Sequence, residues 1–182
     1  GQPNTRKNGQ KMLITEEYRK LNAQKHEESQ HFGAGGHVLA KNVRDVARRI
    51  GAHTILDYGC GKRTLEKALG YAIANYDPAI PGCDSPPEPA DLVICCDVME
   101  HIEPECLDAV LEDLERVTKN TIMFLIDTWP AKKHLADGRN AHAIIEPAEW
   151  WLPKLVARWA VKEVSVPDQF MFVIMQAKAV KQ

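Results

Sequence analysis

The chain has little of what marks several broad classes of protein. No apolar run approaches the roughly 18–20 residues that a spanning helix needs, so no membrane-crossing segment is expected. The opening GQPNTRKNGQK is polar and holds no apolar signal core, so no secretory signal is expected either. Charge of one sign is scarce: 23 Lys and Arg stand against 25 Asp and Glu, for a formal net charge of −2. Duplex nucleic acid attracts a broad basic face, which this balance does not supply, and duplex binding is not expected. Cysteine is limited to Cys60, Cys83, Cys95, Cys96 and Cys106, an odd count with two vicinal residues inside an apolar run. There is no CxxC pair. Neither a disulfide framework nor a structural zinc site is expected, and the setting that fits is a reducing cytoplasm.

What is present is an ordinary globular composition. Of 182 residues, 45% are hydrophobic and 26% charged, enough for one domain with its own core. Residues 1–36 read as an N-terminal arm followed by a polar helix that starts at Thr15-Glu16-Glu17 and runs to about His26, with a glycine-rich break at Phe32–Gly36. The main domain spans 37–182. It opens on a helix, with Val38, Leu39, Val43, Val46, Ala47 and Ile50 at three- and four-residue steps, and Gly51 ends it.

The period then changes. Thr54–Tyr58, Tyr71–Tyr76, Asp91–Cys96 and Thr121–Ile126 read as buried strands. Helices fall between them at Thr64–Leu69 and after Pro104, where Leu107, Val110, Leu111 and Leu114 share a face. A helix after Pro147 and two closing strands, Val161–Val166 and Met171–Ala179, complete the chain. This alternation predicts an α/β fold: a doubly wound, mostly parallel sheet with a C-terminal antiparallel hairpin. Five prolines between Pro78 and Pro89 exclude a helix or inner strand there.

The chemistry gathers at the strand ends. Ile55-Leu56-Asp57-Tyr58 runs into Gly59-Cys60-Gly61, a turn whose glycines let a ligand lie against the backbone. Asp77 follows the second strand, 20 residues after Asp57, where a carboxylate can accept both hydroxyls of a ribose. Asp97 follows the third. A dinucleotide fingerprint would need a glycine at Thr64, and a P-loop a longer glycine run before its Gly-Lys pair. A cofactor with ribose but no phosphate fits better.

Ile55–Gly61 resembles motif I of class I S-adenosylmethionine-dependent methyltransferases, and Ala90–Ile102, with Asp97-Val98-Met99-Glu100-His101, resembles the motif of that family's fourth strand. The remaining motifs, among them Asp137–His142 and Glu149-Trp150-Trp151, resemble small uncharacterised phage and bacterial members. The resemblance implies a Rossmann-like methyltransferase domain and S-adenosylmethionine as cofactor. It implies a cofactor-binding set of Asp57, Tyr58, Gly59, Cys60, Gly61, Tyr76, Asp77, Asp97 and Val98. Gly59 and Gly61 would line the methionine part, and Asp77 would hold the ribose. There are two departures. Arg63 stands where the family usually has a further glycine, and would either reach the cofactor carboxylate or crowd the pocket. The family's third strand and its acidic loop are missing, with the proline tract in their place.

Methyl transfer to oxygen or nitrogen often needs a base that works near neutral pH, a role suited to histidine. His101, just past the strand, and His142, in the long polar loop at 127–146, are the catalytic candidates. His134, Arg139, Asn140 and Trp150 are the candidates for binding the acceptor, a small and potentially anionic nucleotide, sugar or related metabolite. Tyr18, His26, His31 and His37 lie on an N-terminal segment that either folds over the cofactor or forms a mobile arm. Asp127, Asp137, His134 and His142 have no diagnostic metal spacing, and no metal is expected. The competing readings are a non-catalytic binding module on this fold and a nicotinamide-dependent oxidoreductase. Oligomeric state is not legible.

Overall fold

A computed structural model describes residues 11–28 and 39–179. The Phe32–Gly36 break, His31, His37 and all but the last residue of the 1–11 arm lie outside the described residues.

The predicted alternation of strands and helices folds into a single six-stranded sheet. Its strands are β1 (Ile55–Tyr58), β2 (Ala74–Tyr76), β3 (Ala90–Cys96), β4 (Thr118–Asp127), β5 (Trp159–Ser165) and β6 (Phe170–Ala177), in the order β2-β1-β3-β4-β6-β5. β2, β1, β3 and β4 are mutually parallel, while β6 runs antiparallel to β4 and β5 antiparallel to β6. The expected closing hairpin is therefore present, with β5 at the outer edge. The helices are α1 (Glu16–Glu28), α2 (Ala40–Ile50), α3 (Thr64–Leu69), α4 (Leu107–Val117) and α5 (Ala148–Val156).

Strand alternation divides the core into two layers. Leu56, Val93, Cys95 and Phe124 pack on one face against Leu111 and Leu114 of α4 and Trp151 of α5. Ile55, Leu92, Ile94 and Met123 pack on the other against Val43 and Val46 of α2 and Leu65 of α3. Both faces of the parallel strands are thus covered, as parallel sheets require.

β2 is shorter than the apolar run Tyr71–Tyr76 suggests. Pairing begins only at Leu56 with Ala74. Before that point the Ile73 amide donates to the Glu66 carboxylate instead of a strand, at 3.0 Å. Beyond β2 no further strand occurs among the described residues. The proline tract instead makes tight turns, with the Asp77 amide bonded to the Cys83 carbonyl and the Cys83 amide to that of Ile80. This fits the expected loss of the third strand. None of the five cysteines forms a disulfide, and all five are buried. No helix among the described residues is long and apolar enough to cross a membrane.

Candidate functional site

From β1 the chain steps outward to β2, then returns to the other side of β1 to form β3. Strand order therefore reverses between β1 and β3, and a crevice opens at their carboxyl ends. Gly59 leaves β1 at φ +89°, a left-handed conformation that favours glycine. Space demands glycine as well: a Cβ on Gly59 would lie 2.2 Å from Cγ2 of Val98, which follows β3. The Gly59 and Cys60 amides donate to the Tyr76 carbonyl at 2.6 and 2.9 Å, which ties the glycine turn to the end of β2.

Asp77 is held in the same turn. Its carboxylate accepts the Gly61 amide at 3.0 Å on Oδ2 and the Ala79 amide at 2.9 Å on Oδ1. Two of the roughly four acceptor sites of a carboxylate are thereby used. Arg63 also takes a left-handed conformation, at φ +57°. Its guanidinium neither crowds the crevice nor reaches into it; it turns to Cys83 Sγ, at 3.1 and 3.3 Å.

A cavity of about 530 Å³ fills the crevice, within the usual range for a small-molecule site. Its sheet-borne wall comprises Asp57, Tyr58, Gly59, Cys60, Tyr76, Asp77, Asp97 and Val98. Opposite stand Tyr18, Asn22 and His26 of α1, together with Trp129, Lys132, Lys133 and His142 of the loop after β4. Glu100, His101 and Asp127 also line the cavity. α1 is anchored through Thr15, whose amide and hydroxyl both donate to the Glu103 carboxylate at 2.8 Å.

The cavity is rich in acids. Burial, and then the charges of Asp77 and Glu66, push the Asp57 carboxyl up to about 7. Burial also raises Asp97, with Asp127 adding to the shift while a contact from Cys96 and the charge of His142 oppose it. Glu100 is pushed well above the carboxylate range, by burial first and by Asp97 second. Its side chain is fully buried, and neither carboxylate oxygen has a partner in hydrogen-bond geometry. The His101 Nδ1 lies 2.6 Å from the Ala141 carbonyl, and burial lowers the ring to about 4, so it is neutral near pH 7. The His142 ring meets His101 edge-on at 4.9 Å, with its Nδ1 2.5 Å from the Trp129 carbonyl. The Cys60 thiol is raised by burial and by neighbouring acids, which makes it a poor nucleophile.

Most sequence-derived candidates therefore meet in one cavity, but five do not line it. Gly61 acts at one remove, through its bond to Asp77. Arg139 is turned to its own loop: Nε donates to Asp137 at 2.5 Å, and the guanidinium covers the Tyr18 ring at 5.2 Å. Asn140 braces the loop, accepting the Ala131 and His142 amides on Oδ1. His134 bridges to Asn140 through the backbone. Trp150 does not roof the cavity; it packs against Trp151 at 5.0 Å, with the Lys154 ammonium over its ring at 4.4 Å. Sequence reasoning missed Glu100, Trp129, Lys132 and Lys133 as lining residues. The available signal for Glu100 was an acid beside His101 in an otherwise apolar turn.

No family model and no curated protein sequence matches the chain. Solved structures do. The 1,6-didemethyltoxoflavin-N1-methyltransferase of Burkholderia thailandensis, with 1,6-didemethyltoxoflavin and S-adenosylhomocysteine bound, is 15% identical, with 90% of each chain covered and a TM-score of 0.62. The N-methyltransferase NodS of Bradyrhizobium japonicum WM9, bound to S-adenosylhomocysteine, is 11% identical over 87% of this chain and 99% of its own, with a TM-score of 0.59. The magnesium protoporphyrin IX methyltransferase of Synechocystis PCC 6803, also with S-adenosylhomocysteine, is 13% identical over 78% and 83%, with a TM-score of 0.55. At these identities the likeness establishes the fold: a class I methyltransferase-type sheet.

Proposed function

We propose that this chain transfers a methyl group from S-adenosylmethionine to a small acceptor. The observation that carries the reading is the Gly59–Val98 cradle at the β1–β3 switch point, with Asp57 and Asp77 in the same cavity. The bound S-adenosylhomocysteine of structures with this fold supports the same cofactor.

The residues present fit that group. A glycine at position 59 lets the Val98 side chain close onto the backbone, and both residues line the cavity in which the cofactor would lie. Asp77 keeps lone pairs for two ribose hydroxyls after accepting the Gly61 and Ala79 amides. Asp57 is a buried carboxylate with acids around it, and an ammonium group there would offset the cost of ionising it. When bound, the cofactor supplies a methyl group activated on a sulfonium, open to in-line displacement.

The chain's own residues would then align the acceptor and accept a proton. Tyr18 and Trp129 line the cavity and would offer the acceptor aromatic surface. His142 donates Nδ1–H to the Trp129 carbonyl, which leaves Nε2 with the lone pair that takes the proton. His101, kept neutral by burial, orients the acceptor in this reading. Lys132 and Lys133, not Arg139, supply positive charge along the cavity for an anionic acceptor such as a nucleotide or sugar derivative.

Titration calorimetry with S-adenosylhomocysteine tests the cofactor assignment. Wild type should bind one equivalent, and Asp77→Ala should weaken binding about tenfold or more, as loss of hydrogen bonds to a charged group implies. Preference for NADH in a parallel thermal-shift measurement, or unchanged binding by the variant, would overturn it.

A further inference from the structure

Glu100 has a property that methyl transfer does not explain. Its side chain is completely buried, and neither oxygen makes a well-formed hydrogen bond, although the Asp97 carboxyl and the Asp127 backbone lie close to it. A buried polar group left in that state is costly unless something satisfies it. Its neighbours suggest what does. Glu100, His101 and His142 each offer one ligand atom, and these atoms all lie within 4.8 Å of one another.

The imidazoles are prepared for that role. A carbonyl oxygen can only accept, so His101 must carry its proton on Nδ1, facing the Ala141 oxygen at 2.6 Å. By the same argument His142 carries its proton on Nδ1, facing the Trp129 oxygen at 2.5 Å. Both rings are thereby fixed in the tautomer that puts the lone pair on Nε2. A ring N–H given to a backbone carbonyl is the usual support of a metal-ligating histidine.

We infer that Glu100, His101 and His142 form a divalent-cation site that opens into the cavity. Two imidazoles and one carboxylate suit Zn²⁺, Mn²⁺, Fe²⁺ or Co²⁺ better than Mg²⁺ or Ca²⁺, which prefer an all-oxygen shell. Metal–ligand bonds of 2.0–2.2 Å place neighbouring donors about 3–3.5 Å apart, so donor pairs that now lie up to 4.8 Å apart close by up to about 1.3–1.8 Å on loading. His142 sits on the loop after β4 and can supply that movement. The three residues share their cavity with Gly59 and Asp77, so the ion's open positions face the proposed acceptor. Resting on the methyltransferase reading, the ion takes over the part given above to the two rings: with Nε2 of His101 and His142 engaged as ligands, the ion and not His142 holds an acceptor oxygen in place and favours its deprotonated form.

Chelator-treated protein titrated with Co²⁺, followed by its visible absorption and by elemental analysis, tests the site. Wild type should take up one equivalent. Glu100→Gln and His142→Ala should each lose at least tenfold in affinity, while His134→Ala, outside the cavity, should match wild type. His142 is partly exposed on a loop, so its variant keeps the test valid if Glu100→Gln fails to fold. Absence of Co²⁺ uptake by wild type, or equal uptake by His142→Ala, overturns the site. Calorimetry of S-adenosylhomocysteine on the same metal-free samples separates the two claims. Cobalt uptake without nucleoside binding would remove only the methyltransferase reading, and nucleoside binding without cobalt uptake only the ion site.

Discussion

The two walls of the cavity are built in different ways. The sheet-borne wall places its residues at strand ends, where the register of β1, β2 and β3 sets their positions. The opposite wall comes from α1 and the loop after β4, where side chains and turns do that work: Asn140 bonds to Ala131 and His142, and Trp129 Nε1 donates to the Asp168 carbonyl at 2.9 Å. The first wall is acidic and tightly packed. The second is aromatic and mixed in charge. On the proposed reading, the sheet-borne wall would hold the cofactor and the loop wall the acceptor, a division of labour that loop-borne sites on rigid scaffolds commonly show.

Two glycines with nearly the same backbone angle expose this difference most sharply. Gly59 has φ +89° and Gly138 +87°. An added Cβ at Gly59 strikes Val98, whereas one at Gly138 meets nothing within 4 Å. Both alanine variants carry left-handed strain of about 1–2 kcal/mol. Only Gly59→Ala adds overpacking, about 1–3 kcal/mol more. Chemical denaturation should therefore rank Gly59→Ala well below Gly138→Ala, and S-adenosylhomocysteine binding should be lost only in the former. Adding Val98→Ala should restore the packing part and leave the strain. Equal losses for the two glycines would mean that crowding at the switch point is not what demands glycine.

Asp57 provides the next largest effect, one that depends on pH. Its folded carboxyl is raised to about 7 from an ordinary 3.8. Between those values the folded chain keeps a proton that the unfolded chain has released. Asp57 therefore makes stability fall as pH rises through that window, by at most about 1.4 kcal/mol per unit, and the penalty is complete above pH 7. Denaturant melts at pH 5 and 7.5 should show this slope, and Asp57→Asn should reduce it, leaving the shares of Asp97 and Glu100. S-adenosylhomocysteine carries an ammonium group and favours the ionised form, so its affinity should rise over the same interval in wild type and stay flatter in the variant. No corresponding slope is expected from Asp137 in the loop wall, whose carboxyl is lowered by the Arg139 amide and guanidinium.

The same contrast explains what could be read from the sequence. Gly59, Asp77 and Asp97 were legible because strand periodicity fixes where a strand stops, and the next residue then falls at the sheet's edge. The span of α3, Thr64–Leu69, was legible for the same reason. Arg139 looked available as an anion receptor because its composition says nothing of direction. Asp137, two residues earlier, captures it through a short turn that no periodicity announces. Trp150 was equally opaque. Adjacent tryptophans on a helix point to different sides, and only the packing of Trp151 into the core shows that Trp150 covers the helix and not the cavity. Glu100 was hidden because sequence rules bury a carboxylate only when it is paired.

The smallest expected effects lie in the loop wall, and they test whether it serves the acceptor alone. Trp129 is 52% exposed yet lines the cavity, and its carbonyl holds His142 while its indole N–H holds Asp168. Trp129→Phe keeps the backbone carbonyl and most of the ring but loses the indole bond, a change worth about 0.5–1.5 kcal/mol at most. Its S-adenosylhomocysteine affinity should stay within about twofold of wild type, while KM for any acceptor found to be methylated should rise up to about tenfold. Arg139→Ala should do less still. It removes an exposed ion pair with Asp137, worth about 0–1 kcal/mol, and the cover over Tyr18. If either substitution weakened nucleoside binding as strongly as Asp77→Ala, the two walls would act as one unit. The division into a cofactor half and an acceptor half would then have to be abandoned.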